Sequence, residues 1–199
     1  MKYISLDLET TSLIPHKNNI LMISMVVEDT NDIKPLSELP HFTCFVKQPE
    51  PITGSFYALG LNGWILDIIS GRKENHTPYP ILEPLGYFEA WQRSATLFLD
   101  DHFGNERITV AGKNVAGFDI PFLPKCLQAR FRHRVIDPGT LFTDWENDKC
   151  IPDLGKCKER AGLEATVAHD TYDDAIDVIR LLRTKYAVPV KDDGDIIKP

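Results

Sequence analysis

The sequence lacks any long uninterrupted apolar run, which is the feature that marks a membrane-spanning helix. Its apolar stretches, such as Ile20 to Val27, are short and contain polar residues, whereas a spanning helix needs about 20 apolar residues. The first residues also lack the pattern of a secretory signal, because Lys2 is followed closely by Asp7 and Glu9. We therefore expect a cytoplasmic protein that has no membrane partner.

Paired cysteines are also missing. The chain has 4 cysteines, and no two of them form a Cys-x-x-Cys pair. They are Cys44, Cys126, Cys150 and Cys157. Scattered cysteines make a poor disulfide framework and a poor zinc site. The sequence therefore predicts reduced thiols, as in proteins of a reducing compartment.

Basic residues are in the minority, with 22 lysines and arginines against 29 aspartates and glutamates and a formal net charge of −7. Binding along a nucleic-acid duplex requires a basic face that neutralises many phosphates. The acidic balance argues against such an extended surface. It does not exclude a small site that binds the end of one nucleic-acid chain.

The chain contains no internal repeat and no low-complexity segment, and its 199 residues are the length of one ordinary domain. We expect a single domain over residues 1–188. Within it, residues 48–84 are rich in proline and glycine and predict an irregular elaboration. Residues 189–199 are acidic and predict a loose tail.

The order of the predicted elements favours an α/β fold. Predicted strands cover residues 3–9, 20–27, 41–46, 108–112 and 135–136. Predicted helices cover residues 63–70, 85–102, 121–131, 154–161 and 172–185. Three strands joined by short connections are followed by alternating strands and helices. That order predicts a mixed sheet with helices packed on its faces.

Two carboxylates stand on the first predicted strand. Residues 3–9 alternate between an apolar face and a polar face, and the polar face carries Asp7 and Glu9. Carboxylates on an otherwise apolar strand repel each other and lose solvation, so a cation should compensate them or one should remain protonated. A hard divalent cation, which prefers oxygen ligands, is the natural partner. The alternative is a strand end that simply emerges into solvent.

The start of the last predicted helix holds a further acidic candidate. Asp174 lies at the edge of the apolar stripe of that helix. It also stands three residues after Thr171, so it fits a capping box in which it only satisfies a backbone N–H. His169, in the preceding loop, could take a proton from a water near neutral pH, or it could be merely solvated.

A connection between a strand and a helix carries a further group of polar candidates. Asn114, Phe118 and Asp119 follow the strand at 108–112, where α/β folds usually place their sites. Asp119 precedes Pro121 and could instead cap the helix. Phe118 could instead be core packing, and Asn114 could brace the loop.

Together these segments resemble the three ordered motifs of the DEDDh branch of the DEDD 3′–5′ exonuclease superfamily. The matching stretches are Ile4–Leu13 (ISLDLETTSL), Asn114–Leu123 (NVAGFDIPFL) and His169–Ala175 (HDTYDDA). A histidine five residues before the last aspartate marks the DEDDh branch. The stretch Ala58–Gly63 (ALGLNG) also resembles one often found after the third strand in this group.

The resemblance implies a ribonuclease-H-like fold, in which a mixed five-stranded sheet is flanked by helices. It implies that two Mg²⁺ ions, with Mn²⁺ as a substitute, are held by four carboxylates. Carried over by position, these ligands are Asp7, Glu9, Asp119 and Asp174. His169 is implied as the base that deprotonates the attacking water.

The resemblance also implies a substrate and the residues that contact it. The expected reaction is stepwise hydrolysis of single-stranded DNA or RNA from the 3′ end, releasing nucleoside 5′-monophosphates. The implied substrate-binding residues are Thr10, Thr11, Leu13, Asn114 and Phe118.

Several functions stay open at this point. The Asp-Leu-Glu-Thr-Thr stretch resembles proofreading-type motifs more than oligoribonuclease ones, which favours DNA slightly over RNA. An exoribonuclease or oligoribonuclease is the alternative. A non-catalytic interaction module of the same fold, or a metal-dependent phosphatase of another fold, also remains. A homodimer or an association with a polymerase is compatible with the sequence but not readable from it.

Overall fold

The computed structural model describes residues 1–15, 19–47, 51–82, 84–85, 88–189 and 196–197. Its centre is a five-stranded sheet in the order β4-β3-β2-β1-β7. The strands are β1 (Lys2–Thr10), β2 (Ile20–Asp29), β3 (His41–Val46), β4 (Ile81–Leu82) and β7 (Thr109–Ala111). β1 and β3 each pair antiparallel with β2. At the two edges of the sheet, β7 pairs parallel with β1 and β4 pairs parallel with β3. The predicted ribonuclease-H-like mixed sheet is therefore confirmed.

Eight α-helices accompany the sheet in the described part of the chain. They are α1 (Phe56–Leu61), α2 (Gly63–Ile69), α3 (Ala90–Phe103), α4 (Asp119–Phe122), α5 (Lys125–Gln128), α6 (Pro138–Leu141), α7 (Leu154–Arg160) and α8 (Thr171–Tyr186). Two small hairpins join β5 (Pro84–Leu85) to β6 (Phe88–Glu89) and β8 (Val188–Pro189) to β9 (Ile196–Ile197). Most of the tail predicted to be loose, and residues 48–50 and 83 of the predicted elaboration, lie outside the described residues.

The strand predicted at residues 135–136 is wrong. Ile136 makes only an isolated bridge to Ala111, because Pro138, which has no N–H, starts α6 directly afterwards and takes the chain away from the sheet. The fifth strand is instead β4, inside the segment predicted to be irregular. That segment also contains α1 and α2.

Two helix predictions also need correction. The helix predicted over 121–131 is two short helices, because Leu123 precedes Pro124 and adopts extended backbone (φ −71°, ψ 152°). The helix predicted from residue 85 begins at Ala90, since residues 85 and 88 pair in the β5–β6 hairpin. Apolar spacing alone did not reveal that pairing.

The two faces of β1 pack against different helices. Ile4, Leu6 and Leu8 share a buried cluster with residues of α3, such as Trp91 and Leu99. The opposite face begins with Tyr3, which is buried among residues of α8. Because side chains alternate along a strand, Asp7 and Glu9 lie on the α8 face. The sheet therefore places the two carboxylates beside the helix that carries Asp174.

No helix in the described ranges has the length and apolar character needed to cross a membrane. All four cysteines are free, and Cys44 and Cys157 are buried, in agreement with the predicted reduced thiols.

A buried ion pair fixes α8 to β2. The Arg183 guanidinium donates two hydrogen bonds to Glu28 Oε2, at 3.1 and 2.6 Å, and one to the carbonyl of Lys34 at 2.7 Å. Both charged side chains are at most 1% exposed. Neither charge can be solvated in the folded chain, so each depends on the other.

We expect Glu28→Ala to lower the free energy of unfolding by about 3–5 kcal/mol, since it leaves the Arg183 charge buried without its partner. Urea denaturation measures this loss. Glu159→Ala, which breaks the exposed Lys156–Glu159 pair on α7, is the control and should cost at most about 1 kcal/mol. Equal effects of the two substitutions would contradict this account of α8 docking.

Candidate active site

Asp170, and not Thr171, caps the N-terminus of α8. Its side chain accepts hydrogen bonds from the backbone N–H groups of Tyr172 at 2.9 Å and Asp173 at 3.4 Å. The Thr171 hydroxyl instead hydrogen-bonds to the hydroxyl of Ser24 on β2 at 2.7 Å, which ties the helix start to the sheet. The capping box considered for Asp174 is therefore absent. The Asp174 carboxylate hydrogen-bonds to the backbone of Ala168, and its Oδ1 remains without a partner among the described residues.

Asp119 does not cap a helix either. Phe118 occupies the N-cap position of α4 and makes no side-chain cap, while Asp119 is the first helical residue. Asp119 is 2% exposed, and its Oδ1 accepts a hydrogen bond from the N–H of Leu8 at 3.0 Å. The pairing of β7 with β1 ends at Ser5, so Asp119 takes over as a partner farther along β1. This contact brings Asp119 to the strand that carries Asp7 and Glu9.

Burial and the charges of neighbouring acids disfavour the ionised form of the clustered carboxylates. Burial raises the pKa of Asp7 well above its ordinary value, and the charges of Asp119, Asp174 and Glu9 raise it further. Burial likewise raises the pKa of Asp119. The pKa of Glu9 and that of Asp174 are each raised to about 7, mainly by burial. Such a group of acids requires either protons or a compensating cation.

The geometry fits a hard divalent cation. Glu9, His169 and Asp174 each offer a ligand atom, and these atoms lie within 4.8 Å of one another. Asp174 Oδ1 is buried and has no hydrogen-bond partner among the described residues. A buried carboxylate oxygen with no partner is costly, and Mg²⁺ or Mn²⁺ would satisfy it. The donor set is therefore suited to oxygen-binding metals.

His169 stands at the open side of this cluster. Its ring is 44% exposed, and its Nδ1 lies 4.0 Å from Glu9 Oε1. Its backbone is left-handed (φ 51°), which is uncommon for a residue other than glycine. Asn114 (φ 55°) is the other such residue in the described ranges. Both lie in motifs singled out from the sequence, and backbone strain of this kind is concentrated at functional sites.

The cluster opens into a cleft of about 770 Å³. Of the predicted substrate-binding residues, Thr10, Leu13 and Phe118 line it, and Leu13 is 79% exposed. Thr11 is fully buried, and its hydroxyl accepts a hydrogen bond from the N–H of Asn19 at 3.1 Å. Asn114 does not line the cleft, and its carbonyl accepts the N–H groups of residues 117 and 118. The structure thus brings three of the five to the cleft.

Asn62 was not predicted as a site residue, although it belongs to the ALGLNG stretch noted in the sequence. It is 1% exposed, and its Nδ2 donates to the carbonyl of Thr10 at 3.0 Å. It also hydrogen-bonds to Glu9, which opposes the rise in the pKa of that carboxyl. Asn62 therefore fixes the end of β1 and one member of the carboxylate cluster. The resemblance of the ALGLNG stretch drew attention to this segment, but it did not indicate the role of Asn62.

The raised pKa values predict how the stability of the metal-free protein depends on pH. In the unfolded chain the carboxyls of Glu9 and Asp174 titrate near 4, whereas in the folded chain each pKa is about 7. The folded state therefore binds more protons between these values, and its stability falls as the pH rises from about 4 to about 7. We expect the thermal midpoint in chelator to be lower at pH 8 than at pH 5.5 by at least about 5 °C.

The double variant Glu9→Gln/Asp174→Asn is the control for this measurement by scanning calorimetry. It keeps the shape of both side chains and removes both titrations, so it should lose the part of the difference that Glu9 and Asp174 cause. A difference as large in the variant as in the wild type would show that other groups cause it.

No protein-family model and no curated protein matches the chain in sequence. Several solved structures match its fold. The cell-death related nuclease CRN-4 is 18% identical, with a TM-score of 0.63 over 92% of this chain. Exonuclease I of E. coli in complex with a dT13 oligonucleotide is 12% identical, with a TM-score of 0.59 over 92% of this chain.

The chain spans only part of these two proteins, 62% of CRN-4 and 40% of exonuclease I. The nuclease domain of 3′hExo, a DEDDh family member bound to rAMP, is closer in extent. It is 13% identical, with a TM-score of 0.56 over 91% of this chain and 89% of that one. The sheet order and these likenesses agree: the chain has the fold of the DEDDh-type 3′–5′ exonucleases.

Proposed function

We propose that this protein is a metal-dependent 3′–5′ exonuclease that releases nucleoside 5′-monophosphates from single-stranded nucleic acid. One observation carries the proposal. Four carboxylates and a histidine from three distant segments gather at one end of β1, beside a cleft. Among the described residues, neither a capping role nor an ion pair with a basic side chain accounts for Asp119 and Asp174.

Asp7, Glu9, Asp119 and Asp174 would hold two divalent ions. Mg²⁺ is the proposed physiological ion, and Mn²⁺ is a substitute. When bound, the ions would supply Lewis-acid chemistry that neutralises phosphate oxygens and stabilises the leaving 3′ oxygen. Since Mg²⁺ seldom has an all-protein shell, substrate phosphate would complete it.

His169 is the proposed general base. Its Nδ1 faces Glu9, which leaves Nε2 to accept the proton of the attacking water. The oxygen of that water forms a bond to phosphorus as the bond from phosphorus to the 3′ oxygen breaks. The leaving oxygen takes a proton from solvent, and His169 returns its own proton to solvent. The exposed ring of His169 suits this exchange.

Leu13 and Phe118 would contact the terminal nucleotide. Leu13 is largely exposed, and both residues line the cleft. An aromatic ring stacks on any base, so such contacts would be tolerant of sequence. Thr11 and Asn114 are not proposed to contact the substrate, because Thr11 is buried and the carbonyl of Asn114 is hydrogen-bonded within its own turn.

DNA is proposed as the preferred substrate and RNA as the alternative. Of the solved structures with this fold, one holds a dT13 oligonucleotide and another holds rAMP. Discrimination between the two depends on contacts to the 2′ hydroxyl. Direct comparison of matched DNA and RNA strands decides between them.

The test uses 5′-labelled single-stranded DNA and RNA, incubated with Mg²⁺ and then with chelator. We expect a ladder that shortens stepwise from the 3′ end and disappears in chelator. A protein that binds both strands but degrades neither would be an interaction module. Release of terminal phosphate without shortening would identify a phosphatase.

A further inference from the structure

Lys113 is the only lysine or arginine among the described residues that line the cleft. Its neighbours there include Asp7, Glu9 and Asp174. A nucleic-acid strand carries one negative charge per phosphate, and the proposed metal ions would compensate this charge only at the scissile phosphate. A single cation on the wall of the cleft therefore has a large influence on how the strand lies.

The ammonium group of Lys113 has only a loose partner. Its Nζ lies 3.7 Å from Asp137 Oδ2, beyond hydrogen-bonding distance. Asp137 is already engaged, because it accepts hydrogen bonds from the N–H of Asn114 at 2.9 Å and from that of Gly139 at 2.7 Å. In the described part of the chain, no hydrogen bond is made by Lys113 Nζ. Its donors are thus available to a ligand.

Lys113 is held by a different part of the chain from the carboxylate cluster. Its Cε lies close to Gly139, where an added Cβ would be 3.1 Å from it, and its charge pairs with Asp137. Both residues belong to the start of α6, which contributes none of the clustered carboxylates. The side chain is 21% exposed, so it is held by its surroundings but reaches solvent. Such a cation can contact a backbone phosphate of a strand that enters the cleft.

We infer that Lys113 binds a backbone phosphate of the substrate strand on the 5′ side of the scissile phosphodiester. This inference rests on the proposed nuclease function and adds a binding residue to it. Contact with a non-scissile phosphate strengthens binding of an oligonucleotide and does not act on the reacting atoms. Lys113 therefore binds the strand and fixes its position in the cleft, and it is not a catalytic residue.

The test compares two substrates of the wild type and of Lys113→Met. One is a 5′-labelled single-stranded oligonucleotide, and the other is the p-nitrophenyl ester of thymidine 5′-monophosphate, which has no neighbouring phosphate. We expect kcat/KM for the oligonucleotide to fall about tenfold at low salt, mostly through KM, as for one charge-assisted contact. Turnover of the ester should stay within about twofold.

Salt dependence gives an independent readout. Removal of one phosphate contact should reduce the slope of log kcat/KM against log salt by about 0.7 for a single strand. Lys113→Arg should restore the slope. Lys125→Met removes the same charge from α5, outside the residues that line the cleft, and should leave the slope unchanged.

Three results would overturn the inference: an unchanged slope in Lys113→Met, an equal slope change in Lys125→Met, or equal losses on the two substrates. Thermal midpoints of the variants verify that each is folded. If the wild type degrades neither substrate, the proposed nuclease function and the inference about Lys113 both fail. If the wild type is active and Lys113→Met matches it, the inference about Lys113 fails alone.

Discussion

Asp174→Asn is expected to lower the rate of oligonucleotide hydrolysis by at least about a thousandfold, the scale of several kcal/mol of charge stabilisation from a bound metal. The amide keeps the shape of the side chain but removes the negative oxygen that has no partner in the structure. The substitution should not disrupt the fold, because the cap of α8 is supplied by Asp170. Single-turnover kinetics with Mg²⁺ measure the loss.

Asp173→Asn is the matched control for this experiment. Asp173 is the preceding residue of the same helix, and its side chain is exposed. Its substitution should leave the rate within about twofold of the wild type, as expected for a surface change away from the site. If both variants lost activity equally, or if Asp174→Asn kept wild-type activity, Asp174 would not be a metal ligand.

His169→Ala is expected to reduce turnover by about 100- to 10,000-fold, the usual contribution of a general base. The four carboxylates remain, so metal binding should persist. At saturating metal, the turnover of the wild type should rise with pH, because a general base acts in its unprotonated form. The rise should be absent in His169→Ala.

His133→Ala provides the comparison, because His133 is an exposed histidine that does not line the cleft. Its pH profile should match that of the wild type. A profile of His169→Ala that still rises as in the wild type would assign the base to another group. A loss of metal binding in the same variant would make His169 a ligand.

Much of the sheet and of the site was predictable because it depends on local patterns. The alternation along β1 placed Asp7 and Glu9 on one face, and the structure puts that face against α8. The resemblance to the DEDDh motifs then implied that Asp119 and Asp174 join them. The pKa values of all four are raised, and those of Asp7, Glu9 and Asp119 are raised in part by charges of other members of the cluster, which agrees with their proximity.

Other features depend on contacts that sequence spacing does not reveal. Asp170 and Thr171, which both precede Asp174, each suit an N-cap. Only the hydrogen bond between the hydroxyls of Thr171 and Ser24 on β2 decides which of them caps the helix. The break between α4 and α5 depends on the backbone of Leu123 before a proline. In these cases local propensity allowed two structures, and tertiary contact selected one.

Lys113 and Asn62 illustrate a second limit. Both stand in or beside motifs that the sequence identified, yet neither residue type signals a role by itself. Asn62 acts through the carbonyl of Thr10, 52 residues away in sequence. Lys113 matters because the other ionisable residues around it in the cleft are mainly acidic. Such roles follow from the surroundings of a side chain, which only the fold assembles.

The most direct test of the account is anomalous diffraction from crystals of this protein soaked with Mn²⁺ and a nucleoside 5′-monophosphate. We predict two anomalous peaks among the carboxylates of Asp7, Glu9, Asp119 and Asp174, roughly 3.5–4 Å apart, with the phosphate of the nucleotide beside them. Crystals with fully bound nucleotide and no manganese at these carboxylates would contradict the central claim that the cluster is a two-metal nuclease centre.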